Sequence, residues 1–106
     1  DVNFLLKTED LNSVLRGGNL MQLPEIAVVG DGVTVALKAY DSKNPTTDSY
    51  VVTVGTTDRT FNAVFKNENL KLIPNNYDVS ISSKGISHFT GADAEYWISV
   101  ESNSTF

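Results

Sequence analysis

His88 is the only histidine in the sequence, and so the only side chain whose ordinary pKa suits it to proton shuttling near neutral pH. A catalytic or metal-ligating role needs partners, and no second histidine exists to complete a metal pair. Cysteine is absent, which removes thiolate zinc sites, iron–sulfur clusters, disulfides and cysteine nucleophiles together. Flanked by Ser87 and Phe89 in a strand-like run, His88 reads as a strand-face residue with an ordinary hydrogen bond. Asp93 and Glu95 are a carboxylate pair of the kind that flanks a glycosidic bond, but at a loop–strand junction they read as solvated charges. No G-x-S-x-G, phosphate loop or dinucleotide fingerprint is present, and Gly30-Asp31-Gly32 reads as a hairpin turn. The expectation is a protein without catalytic residues, metal or cofactor.

The basic residues carry more information. Eight of them face 13 acids, a net charge of −5, whereas a DNA-binding domain is ordinarily basic. Their distribution qualifies that sum. Lys7, Arg16, Lys66 and Lys71 all fall at or on two predicted helices. On a helical wheel Leu11, Val14 and Leu15 form one apolar stripe, with Arg16 roughly 140° from Leu11 on the wet side. Lys7 and Lys66 enter the two helices at equivalent points. Such a face holds a polyanion through its phosphates without reading sequence.

The elements that position these residues follow from periodicity. A chain of 106 residues is one domain, residues 1–106. No apolar run approaches the ~20 residues of a membrane helix, and the first residues lack a signal-peptide pattern. The start at Asp1 predicts a processed or excised piece. Val2–Leu6 reads as a strand. Lys7–Gly18 reads as a helix, with Thr8 as N-cap, Glu9 and Asp10 in its first turn and Gly17-Gly18 as its stop. Ile26–Val29, Val33–Tyr40 and Tyr50–Val54 are strand-like. The order then restarts: strand Phe61–Phe65, a short helical turn Lys66–Pro74 capped by Asn67, then strands Tyr77–Ser82, Ile86–Thr90 and Tyr96–Val100. Lys7-Thr8-Glu9-Asp10-Leu11 aligns with Lys66-Asn67-Glu68-Asn69-Leu70, predicting pseudo-repeat halves of about 1–57 and 58–106. The expected fold is α+β: a duplicated β-α-β-β-β with two helices on one face of the sheets, burying Leu11, Val14, Leu15, Leu70 and Ile73.

Lys7-Thr8-Glu9-Asp10-Leu11 with Val14-Leu15-Arg16, then Phe61-Asn62, Asn69-Leu70-Lys71-Leu72, Pro74, Asn76-Tyr77, Lys84-Gly85, Phe89 and Tyr96 to Phe106 form a collinear string over the whole chain. This string resembles the C-terminal domain of the sliding clamps of myovirus-type tailed bacteriophages. Gly17-Gly18 departs from a more polar, partly basic stretch after the first helix, and the loop Asp41–Asp48 also differs. The resemblance implies a DNA polymerase processivity factor, active in the cytoplasm of the infected bacterial host. Three two-domain subunits would form a homotrimeric ring around duplex DNA, this chain being half a subunit. Lys7, Arg16, Lys66 and Lys71 would face DNA. DNA polymerase and clamp loader would dock on an outer groove, placed on Ile86, His88, Trp97, Ser99, Val100 and Phe106. The competing expectation is a small β-rich carbohydrate-binding or adhesion module of a virion or secreted protein, suggested by the Ser/Thr/Asn/Val content and a potentially exposed Trp97.

Overall fold

Alternation of apolar and polar residues sets most strands of this chain. Thr34–Tyr40 is the clearest case, with Val35, Leu37 and Ala39 buried between half-exposed neighbours. In the computed structural model, which describes residues 2–41, 43, 50–70, 72, 75–92 and 94–106, the order is β1 (Val2–Leu6), α1 (Thr8–Leu20), β2 (Glu25–Asp31), β3 (Thr34–Tyr40), β4 (Tyr50–Thr56), β5 (Thr60–Lys66), a 3₁₀ turn (Asn67–Leu70), β6 (Tyr77–Ser82), β7 (Ile86–Thr90) and β8 (Glu95–Ser99).

The strands form two four-stranded antiparallel sheets. Sheet A is ordered β1-β6-β7-β8 and sheet B β4-β3-β2-β5. The first strand of each run has crossed into the sheet built by the other: β1 pairs with β6, and β5 with β2. Neither run can therefore complete its sheet alone. The inner faces of both sheets share one core with α1, joining Leu11 and Val14 of the helix to Ile26, Leu37 and Phe65 of sheet B and Leu6, Tyr77 and Ile81 of sheet A. Leu70 of the 3₁₀ turn reaches the same core, and Leu15 packs against its margin. Each fully buried Leu or Val contributes about 1.5–3 kcal/mol.

Two local expectations are corrected. Gly17-Gly18 does not stop α1, which runs through the pair to Leu20. The glycines are close-approach positions. A Cβ at Gly17 would sit 2.7 Å from Cγ of Tyr50, and one at Gly18 would sit 3.2 Å from Cβ of Ala39. Termination falls instead to Gln22, whose φ of 55° is left-handed, with the Leu23 N–H reaching back to the Gly18 carbonyl at 2.8 Å. The second correction concerns the first turn. Lys7 is the N-cap and supplies no side-chain bond. The Thr8 N–H donates to Asn76 Oδ1 at 2.9 Å, a cap delivered from the other end of the sequence.

Among the described residues the second connection holds a single 3₁₀ turn, Asn67–Leu70, where a second helix was expected. The cause is chain length. The first connection, from Leu6 to Glu25, uses residues 7–24, while the equivalent one, from Lys66 to Tyr77, has only residues 67–76. That is too short for a 13-residue helix such as α1 and a return to the sheet. The expected burial of Ile73, and the position of Lys71, lie outside the described residues.

Gly17→Val is expected to lower stability by about 1–3 kcal/mol, the cost of overpacking at the α1–β4 contact, despite removing a helix-weakening glycine. Urea unfolding of the two chains measures this. A neutral or stabilising result would show that the Tyr50 ring swings aside without loss.

Candidate functional site

The candidate DNA-facing residues do not share one surface. Lys7 and Arg16 are exposed at the start and on the solvent side of α1. Lys66 stands opposite Glu25 in the β5–β2 register, and Glu25 opposite Tyr40, so strand alternation sets it on the face of sheet B turned away from α1. Its Nζ lies 4.0 Å from Glu101 Oε1, a partly exposed pair. Lys71 falls outside the described residues. Glu9 and Asp10 sit in the first turn of α1, where the helix dipole favours them. The helix surface is therefore nearly balanced in charge rather than strongly basic, and Asn12 and Asn19 share it with Arg16.

The candidate groove divides in two. Ile86, His88, Trp97 and Ser99 do come together, on the outer face of sheet A, where the register sets Ile86 opposite Ser99 and His88 opposite Trp97. Trp97 is 63% exposed, so it is not a core residue. Its indole stacks on the His88 imidazole with ring centroids 4.5 Å apart and planes 6° from parallel. His88 Nε2 lies 2.7 Å from Glu95 Oε1 and 3.2 Å from Thr90 Oγ1. Asp93, the other carboxylate of the pair, lies outside the described residues. Val100 turns toward the core instead.

Phe106 belongs elsewhere. Residues 101–105 run beside β5 and close that edge of sheet B. The Asn62 N–H donates to the Thr105 carbonyl at 2.8 Å and the Thr105 N–H returns to Asn62 at 2.9 Å. Glu101 N–H donates to the Val64 carbonyl at 2.8 Å. Val64 N–H bonds Ser104 Oγ at 2.8 Å. This path carries Phe106 to a cleft of about 660 Å³ on the outer face of sheet B, lined among others by Ala27, Val29, Tyr40, Val51 and Asn62. Burial first, and the Glu25 charge second, raise the Tyr40 hydroxyl above its ordinary pKa. No sequence signal pointed to this cleft, because its residues come from four strands and the tail.

Among the described residues three end strands pair on one side only: β1 with β6, β4 with β3 and β8 with β7. β4 carries an exposed Tyr50 and Val51. Unpaired N–H and C=O groups on such edges are templates for another strand. Among the described residues no group of three His, Cys, Asp or Glu side chains is placed to hold a metal ion, and no helix is long and apolar enough to cross a membrane.

The chain belongs to the gp45 sliding clamp family, whose C-terminal model matches residues 3–102. It is 33% identical over 102 residues to the sliding clamp of Vibrio phage KVP40, covering 92% of this chain and 46% of that protein. It is 29% identical over 108 residues to the sliding clamp of Enterobacteria phage T4, covering 94% of this chain and 47% of that protein. The chain thus spans about half the length of the curated relatives it matches. Membership sets aside the carbohydrate-binding or adhesion reading.

Proposed function

We propose that this chain is one domain of a DNA polymerase processivity factor and acts without catalysis. The observation that carries the reading is the family match across residues 3–102, on a fold that leaves β4 and β8 open at the ends of two different sheets. In this reading residues 1–106 form half of a two-domain subunit, with pseudo-repeat halves 1–57 and 58–106, and three subunits close a ring by pairing such edges. Duplex DNA passes through the ring without sequence readout, in the cytoplasm of the infected bacterial host.

Lys7 and Arg16 on α1 are the DNA-facing pair in this proposal, with Lys71 as a third from the second connection. Lys66 stands apart, engaged with Glu101. The chain's acidity, −5 overall, suits the outer surface, since it repels phosphate and favours a centred duplex. DNA polymerase and clamp loader dock on the outer side, on the strip formed by Ile86, His88, Trp97 and Ser99.

Topology supplies the test. The full-length protein, once loaded, is expected to stay on nicked circular duplex in high salt and to leave when the circle is cut. Release by salt from the intact circle, or retention after cutting, would overturn the ring. The 106-residue chain alone is expected to bind DNA feebly. Three phosphate contacts lose about fortyfold in affinity over a fourfold rise in salt, and Lys7→Ala with Arg16→Ala should cut that slope to about a third. Tight, salt-resistant binding by the chain alone would contradict the proposal.

A further inference from the structure

We propose that Trp97 and Glu95 form a receptor for a single cationic side chain, arginine above all, on the segment that docks against sheet A. The inference rests on reading the Ile86–His88–Trp97 strip as a docking surface, and it names the chemistry of the occupant.

Three observations carry it. The first is preorganisation. One face of the indole is held against His88, which is itself fixed by the 2.7 Å contact to Glu95. β8 is the end strand of sheet A, so among the described residues Trp97 has no cross-strand neighbour on its far side, and the residue is 63% exposed. A large aromatic group is thus presented to solvent without the freedom that usually makes such a side chain costly to immobilise. The second is charge. The outward positions of β1, β6, β7 and β8 include Asp78 and Glu95 and no lysine or arginine. A cation arriving over the indole therefore meets no like charge on these strands. The third is proximity. Glu95 and Trp97 are two residues apart on one strand and project from the same face. Glu95 Oε1 is held by His88 Nε2, so a guanidinium over the open face of the ring has the charge of the carboxylate and its second oxygen to draw on. Arginine suits this better than lysine, because its planar group stacks on an aromatic face while still donating sideways.

An uncharged aromatic anchor is the occupant that an exposed tryptophan would otherwise suggest, and the strip distinguishes the two. Its rim is mostly polar: Thr90, Glu95 and Ser99 border the indole, with Ser80 beyond His88, and Ile86 is the one apolar neighbour among the outward residues of β6, β7 and β8. A concave and more apolar surface lies at the Phe106 cleft, on the other sheet.

Trp97 is the only tryptophan, so the chain has a single indole N–H resonance. Three five-residue Gly/Ser peptides, identical except for arginine, citrulline or phenylalanine at the centre, are titrated into the 106-residue chain and that resonance is followed. The arginine peptide is expected to shift it saturably, with an affinity about three- to fivefold above that of the neutral, nearly isosteric citrulline peptide. Glu95→Gln, a change at an exposed position, should bring the arginine peptide down to the citrulline level. Equal affinities for arginine and citrulline overturn the inference. A shift with phenylalanine and none with arginine overturns it while the docking reading survives. No shift with any of the three removes both.

Discussion

Phe89→Ala is expected to destabilise the domain by about 3–5 kcal/mol, measured as a fall in the urea midpoint at unchanged slope. Phe89, on β7 of sheet A, meets Phe65 of sheet B edge-on at 6.1 Å and 80°, and Tyr77 of its own sheet at 6.3 Å and 75°. Tyr77 continues the chain of rings to Tyr96 at 6.0 Å. Phe89 is therefore the ring through which the aromatic cluster passes from one sheet to the other. Truncation removes its own buried surface and leaves both neighbours facing a void. Edge-to-face pairs add about 0.5–1.5 kcal/mol beyond the buried area. A domain of this size has a total stability of about 5–15 kcal/mol, so the loss is a large share. Phe89→Leu fills much of the volume without the ring geometry and should cost distinctly less. A loss below about 1 kcal/mol for Phe89→Ala would mean that the sheets meet without depending on this contact.

What could be read from the sequence was what depends on neighbours in the chain. Alternation identified β3, the stripe Leu11–Val14–Leu15 identified α1 and its buried side, and Gly30-Asp31-Gly32 identified the β2–β3 turn. In that turn the Asp31 carboxylate accepts from the Thr34 and Val33 N–H groups at 2.7 and 2.9 Å, which hold its pKa below the usual carboxylate value. What could not be read came from distant partners. Gly17 and Gly18 look like a stop until Tyr50 and Ala39 are placed against them. The cap from Asn76 to Thr8 joins residues that no local pattern relates. The short link 67–76 was visible as a number of residues, but its consequence for the second helix appeared only once β6 was paired with β1.

The candidate site was legible to a similar degree. Ile86, His88, Trp97 and Ser99 share a face because period-two alternation on adjacent strands puts them there. Phe106 was grouped with them because it is near in sequence, but the hydrogen bonds of residues 101–105 to β5 carry it to the other sheet. Lys66 was grouped with Lys7 by repeat position, and it is a strand residue whose parity places it away from α1.

The largest effect on the proposed assembly is expected from the open edge of β4. Val51→Lys together with Thr53→Lys, made in the full-length protein, should convert the ring to monomers. Both residues are exposed, and the register puts them on the outer face of sheet B, opposite Lys38 and Ala36 respectively. Their replacement therefore leaves the core intact. Lysine on an edge strand is a recognised barrier to strand addition, and a lysine at position 51 would stand directly against Lys38. Ring closure multiplies the penalty. A symmetric trimer has three identical interfaces, so a tenfold loss at each, about 1.4 kcal/mol, becomes roughly a thousandfold loss in closure. Sedimentation velocity at micromolar concentration reads the outcome. The same pair in the 106-residue chain should leave its urea midpoint nearly unchanged, which separates an assembly defect from misfolding. A full-length variant that still sediments as the parent does would overturn β4 as the edge that closes the ring.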